Sequence, residues 1–225
     1  MLPLRLRDAT RPWHVRAERS GVMGLLLRRR LSRGGYRSLL LSLLALYDAL
    51  EPALEREAAH LRALGPLPPA LGRAGALRAD LKAFGPAGTD AVADALAIDY
   101  AARLDGLRGE RAHRLLAHVY VRYLGDLHGG QILGALVREH YRLPGADGTR
   151  FYDFGDEAAV QQLRADLRGL LAAVRLSAGQ ADEVVDEAVW AFAAHVALFE
   201  QLARQEPASA QEGADLLVQG GGASG

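Results

Sequence analysis

The chain has 225 residues, half of them apolar, with 27 basic against 27 acidic side chains and no cysteine. Its length suits one well-buried domain, and the zero net charge argues for no nucleic-acid partner and no general draw to a membrane surface. The missing cysteines exclude disulfides, thiolate metal sites and cysteine nucleophiles, and they fit a cytoplasmic location.

No apolar run approaches the ~18 residues of a membrane span, and no cleavable leader pattern opens the chain, so no membrane anchor is expected. Leucine, alanine and arginine dominate and β-branched runs are few, which predicts an all-α fold. The first helix is expected over Leu4 to Arg19, with Leu6, Ala9 and Trp13 on its apolar face. Pro12 predicts either a kink or a restart capped by Thr10. A short helix from Val22 to Leu31 gives way to a loop at Ser32 to Gly35. From Tyr36 the positions Leu39, Leu40, Leu43, Leu44, Tyr47 and Leu50 keep helical period, and Pro52 bends or restarts the helix toward Leu64.

A loop rich in proline and glycine follows over 65–75, then helices over 76–84 and 89–107, the second capped by Thr89 or Asp90. The central helix runs from about Gly109 to Leu143, and Ala146 to Phe154 forms a loop. Asp156 caps a helix over 157–174, and Ser177 with Gln180 forms a capping box for a last helix over 178–204. The reading is one helical domain, 1–206, and a disordered tail, 207–225. Charge is uneven: ten arginines, including Arg5, Arg7, Arg11 and Arg16, crowd the first 37 residues against only Asp8 and Glu18.

The segment HVYVRYLGDLHGGQILGALVREHY, His118 to Tyr141, departs most from an ordinary helix. Gly125, Gly129 and Gly130 sit in its middle, where each costs roughly 0.5–1 kcal/mol relative to alanine. On an ideal wheel Val121, Gly125, Gly129, Ile132 and Leu136 share a stripe, so the backbone is bared on the apolar face. Two readings fit: a flat ligand lying on the glycines, or a second helix crossing at close range. His14 and Glu18 stand one turn apart on the first helix, the spacing in which a carboxylate can hold the second nitrogen of a metal-bound imidazole or make a plain surface contact. Glu57 with His60 and Glu110 with His113 each give the Glu-x-x-His spacing of a di-iron helical bundle, a rival site. His118 reads as a satisfied core histidine.

Four segments in order, LRDATRPWHVRAE, YLGDLHGGQ, FYDF followed by Arg164 and Arg168, and AFAAHVALFEQL, resemble the biliverdin-producing heme oxygenases from about Leu4 to Leu202. The resemblance implies a single-domain helical bundle holding heme b between a proximal N-terminal helix and a glycine-kinked distal helix. It implies His14 as the iron ligand with Glu18 beside it, and Gly125 and Gly129 against the distal heme face. Asp126 would organise distal water for proton delivery, supported by Arg122 and Tyr47. Arg7, Tyr120, Arg164, Arg168 and Phe192 would bind heme. Tyr120 falls off the glycine stripe on an ideal wheel, and a kink at the glycines is the expected remedy. Departures from the family pattern are Pro12, His128 between the aspartate and the paired glycines, and His195, whose role the sequence leaves open.

The implied reaction cleaves heme to biliverdin with O2, releasing carbon monoxide and ferrous iron. Without a dinucleotide-binding glycine fingerprint, electrons must come from a donor protein such as a ferredoxin or flavodoxin docking on the arginine-rich face. The competing function is a heme carrier that binds without degrading, in which Asp126 has no evident task.

Overall fold

The computed structural model describes residues 1–61, 68–84 and 93–207. Among them there are nine α-helices and no strand: α1 (Leu2–Arg19), α2 (Gly21–Leu27), α3 (Arg33–Arg56), α4 (Ala74–Ala83), α5 (Ala95–Gly106), α6 (Leu115–His118), α7 (Gly125–Tyr141), α8 (Glu157–Ala173) and α9 (Ala178–Arg204). A π-helical stretch, Val119–Leu124, joins α6 to α7. No described helix is long and apolar enough to cross a membrane. The expected caps at Thr89 or Asp90, the end of the helix toward Leu64 and the tail after Pro207 fall on or run into residues outside those described. Asp94 is the residue that caps α5, accepting from the Leu96 N–H.

The two longest helices carry the core. On α3, Leu39, Leu40, Leu46, Tyr47 and Leu50 are almost fully buried, and α3 packs against α4 and α5. The capping box at Ser177 and Gln180 starts α9, whose Val184, Ala188, Val196 and Leu202 face inward against α1, α2 and α6. Burying one such leucine stabilises the fold by roughly 1.5–3 kcal/mol, enough for a few tens of them to outweigh imperfect local propensity.

That surplus explains three departures from the expected boundaries. Pro12 does not break α1: it lies on the exposed face, and Thr10 is inside the helix, its hydroxyl donating to Leu6 O at 2.7 Å rather than capping a new start. Pro52 likewise sits inside an unbroken α3. Ser32 to Gly35 is no loop, because Ser32 caps α3 by accepting from the Gly35 N–H, and Glu206, arriving after α9, accepts from the Ser32 N–H at 2.8 Å and from its hydroxyl at 2.9 Å. A long-range carboxylate therefore fixes a helix start that local sequence reads as a break.

Only Leu6, Thr10 and Ala17 of α1 are buried, so this helix rests on α9 and α8 along a thin seam. Its face bearing Arg7, Arg11 and His14 is left to line a cleft against the π-helical stretch and the start of α7.

Candidate active site

The cleft has a volume of about 720 Å³. Leu4 and Val15 of α1, Val121 and Leu124 of the π-helical stretch, Leu171 of α8 and Phe192 of α9 form apolar walls, while Arg7, Arg11 and Arg168 bring cations to it. An apolar slot with a few convergent charged groups is the usual form of a site for a mostly apolar, anionic small molecule. His14 is part of its lining, with its side chain 49% exposed. Its Nδ1 lies 3.5 Å from Glu18 Oε1, the arrangement that leaves the other ring nitrogen for a metal, and its ring meets Phe192 edge to face at 5.9 Å.

Opposite α1, the glycines divide into two sets. A Cβ built on Gly125 meets no heavy atom within 4 Å, and one on Gly129 meets only Leu133 of its own helix, at 3.5 Å. A Cβ on Gly130 would lie 3.0 Å from the Tyr152 carbonyl oxygen, and one on Gly134 3.1 Å from Tyr152 Cβ. The close approach falls on Gly130 and Gly134 and is made by the 150–152 turn rather than by a second helix, while Gly125 leaves open backbone at the cleft. Gly129 is not among the residues lining it, and Ile132, expected on the same stripe, is 70% exposed.

Upstream of Gly125 the ideal wheel does not apply. In a π-helical stretch hydrogen bonds run from i to i+5, so residues five apart approach one face. Tyr120 and Gly125 are such a pair, and both line the cleft. The wider turn, not a glycine kink, carries Tyr120 to the site, where its hydroxyl and that of Thr10 lie 3.3 Å apart.

Beneath the glycines lies the expected carboxylate. Asp126 Oδ1 accepts from Arg122 Nη2 at 2.8 Å, and Oδ2 accepts from the Tyr47 hydroxyl. Burial raises the Asp126 carboxyl above the usual range, and Arg122 and Tyr47 pull it back only in part. The ion pair thus orients the carboxylate and offsets only part of the effect of burial. Burial also drives the Tyr47 phenol well above its ordinary value, and Asp126 adds to the effect, so this tyrosine keeps its proton and donates a hydrogen bond to Asp126.

His195 acquires a role. Its Nδ1–H donates to Ala191 O at 2.7 Å, which leaves Nε2 to accept from Arg122 Nη1 at 3.1 Å. Burial, then the Arg122 charge, keep the ring neutral. Arg122 Nε and Tyr123 Oη are buried without a protein hydrogen-bond partner, polar atoms of the kind that bound water engages.

Arg164 does not reach the cleft: its Nη2 donates to the Leu127 carbonyl, under α7, and only Arg168 of the expected pair lines the cavity. Arg7 does line it, although its guanidinium also contacts Asp8 at 2.9 Å. Arg11 was missed by sequence reasoning, yet the spacing Arg7, Arg11, His14 places all three on one face of α1.

The rival iron site does not assemble. His113 uses one nitrogen on the Glu110 backbone carbonyl and the other on Glu183, Glu57 accepts from the Gly109 N–H, and among the described residues no group of three potential ligands converges. His118 is fully buried and satisfied by Tyr100 at 2.8 Å and Glu187 at 3.1 Å, as a core histidine should be.

The sequence profile described as Heme oxygenase matches residues 1–201. The chain belongs to the heme oxygenase family. A heme oxygenase of Takifugu rubripes is 32% identical over 201 residues, covering 88% of this chain and 72% of the fish protein. Among solved structures, heme oxygenase from Leptospira interrogans superposes with a TM-score of 0.82 at 28% identity, covering 89% of this chain and 98% of that one. Heme oxygenase-1 from Synechocystis, solved in complex with heme, gives 0.83 at 27% identity over 97% of this chain and 98% of its own. The family's all-α fold is the fold found here.

Proposed function

We propose that this chain cleaves heme to biliverdin, with heme as both substrate and cofactor, dioxygen as co-substrate and electrons from a separate protein. The observation that carries the reading is the conjunction across one cleft of His14, backed by Glu18, with the open backbone of Gly125, whose next residue in the chain, Asp126, heads a hydrogen-bonded cluster behind the lining. Bound heme would supply the iron at which dioxygen is reduced and the porphyrin edge that is oxygenated.

His14 would bind the iron through the nitrogen not facing Glu18. The apolar walls hold the macrocycle and exclude bulk water, and Arg7, Arg11, Arg168 and the Tyr120 hydroxyl would meet its propionates. Arg164, tied to Leu127, would act on that face only after leaving its carbonyl. At Gly125 a side chain would intrude where oxygen must approach the ring edge, so glycine keeps that space clear.

Asp126 is held between Tyr47 and Arg122, and Arg122 is held in turn by His195. A carboxylate with raised proton affinity, next in the chain to Gly125 at the cleft, would accept and return a proton more readily than an ordinary one. Tyr123 Oη and Arg122 Nε are suited to anchor water.

Exposed Arg7, Arg11 and their neighbours give the electron donor a cationic docking face next to the heme edge, suited to an acidic ferredoxin or flavodoxin. The test is to add hemin, then reductant in air. Replacement of the Soret band by bilin absorption supports the reading; a Soret band that persists through reductant and oxygen makes the chain a heme carrier instead. His14→Ala should lose the histidine-ligated spectrum and regain it with added imidazole.

A further inference from the structure

His128 stands on α7 at the cleft, two residues beyond Asp126, and it is joined to two partners. Its Nδ1 is 2.6 Å from Leu124 O, and its Nε2 is 3.1 Å from Arg168 Nη2 on α8. A carbonyl only accepts and a guanidinium only donates. Both contacts therefore require the same neutral tautomer, with the proton on Nδ1 and the lone pair on Nε2 facing Arg168. Burial and the nearby arginines favour this uncharged state. The ring is thus a rigid spacer between the distal-helix backbone and a cation of the cleft.

The partner matters because of how the other arginines are held. Arg164 is spent on a backbone carbonyl and Arg7 leans on Asp8; of the cleft arginines, Arg168 is the one held by a neutral side-chain acceptor, with no ion pair among the described residues. Held by a neutral acceptor, it keeps its full charge for an anionic ligand, and its planar fork is fixed in direction. We infer that His128 is a positioning residue: it aims Arg168 into the cleft and so sets the in-plane orientation in which the porphyrin carboxylates are received. This rests on the heme-cleaving reading, since the in-plane orientation decides which meso carbon is presented for oxygenation.

The test combines one measurement without heme and two with it. In the free protein, 15N NMR should find His128 protonated on Nδ1, with the Nε2 resonance moving in Arg168→Ala. Hemin affinity should fall roughly tenfold in Arg168→Ala, the scale of one charge-assisted hydrogen bond. It should fall a few-fold in His128→Ala, and the double variant should be no worse than Arg168→Ala. The biliverdin isomer mixture should broaden alike in all three, while His128→Gln, whose amide oxygen can accept from Arg168, restores the wild-type pattern. An Nε2–H tautomer, additive effects in the double variant, or an unchanged isomer ratio in a folded His128→Ala would each overturn the inference. A wild-type protein that makes no bilin would instead overturn the function, and the NMR and affinity coupling would still decide the role of His128.

Discussion

Two enclosed carboxylates, Asp126 on α7 and Glu187 on α9, are each gripped by an arginine, and their environments push them in opposite directions. Glu187 is 1% exposed at its side chain, more enclosed than Asp126 at 11%. Burial alone would raise both. Glu187, however, accepts two short bonds from Arg103, at 2.6 and 2.7 Å, and another from His118, and these bring it down to about 2. Asp126 has one bond from a guanidinium that it shares with His195, and one from a neutral phenol, and it stays high. The number of bonds from a guanidinium, not the depth of burial, separates a carboxylate that braces the fold from one suited to move protons.

The largest expected break in this comparison is at Asp126. Asp126→Ala should retain hemin and the His14-ligated spectrum yet lose biliverdin formation by about 100-fold or more, the scale of a lost acid–base group. Asp126→Asn should do less harm if orienting water matters more than charge. Because the folded carboxyl is raised, the ionised form is disfavoured by folding, and removing its charge should leave denaturant stability within about 1 kcal/mol of wild type. Biliverdin formation should also fall on acidification at a pH above the ordinary carboxylate range, and Asp126→Asn should lack that limb.

Glu187→Gln should invert the pattern, costing about 3 kcal/mol in urea melts because Arg103 and His118 lose a partner, while turnover per folded molecule stays within about twofold. The sign with pH is also opposite. The depressed Glu187 contributes stability that is present above about pH 4.5 and is lost as pH falls toward about 2. If Glu187→Gln abolished turnover in a fully folded protein, the division between bracing and proton-moving carboxylates would collapse.

A smaller effect is expected one step behind Asp126. His195→Leu removes the acceptor for Arg122 Nη1, so Arg122 can turn away from Asp126. Biliverdin formation should drop roughly tenfold, consistent with the loss of about one hydrogen bond to a charged group. His195→Gln should recover most of it, since its oxygen can accept from Arg122. Equal loss in both variants would make His195 mere packing.

Much of this was legible in the sequence, and the failures share a cause. The capping box of α9, the Asp156 cap of α8 and the His14–Glu18 pair lie within one turn, and local chemistry fixed them. Asp126 with Arg122 was also readable, being four apart on a helix. What could not be read was set by partners distant in the chain. Glu206 converts Ser32 from a loop residue to a cap, Arg122 gives His195 its task, and Leu127 O draws Arg164 from the cleft. The π-helical stretch misplaced Tyr120 because a wheel assumes 100° per residue, and a change in helix type leaves no mark in composition.

The smallest expected effect separates the two sets of glycines. At Gly125 an added methyl meets nothing in the protein, so Gly125→Ala should be neutral or stabilising by about 0.5–1 kcal/mol through the lower entropy cost of ordering alanine in a helix. At Gly130 the methyl would press on the Tyr152 carbonyl oxygen at 3.0 Å, and the turn at Arg150–Tyr152 is pinned from behind by Asp80 accepting two backbone N–H bonds at 2.8 Å. With so little room to yield, Gly130→Ala should cost about 1–3 kcal/mol, read from the same melts. Hemin titration should rank them the other way, with Gly125→Ala weakening binding because its methyl occupies the ligand's space, and Gly130→Ala leaving affinity near wild type wherever it is folded. If Gly125→Ala bound hemin as tightly as wild type and was only more stable, the open backbone would not be the heme-facing surface, and the distal face of the site would have to be sought elsewhere along the cleft.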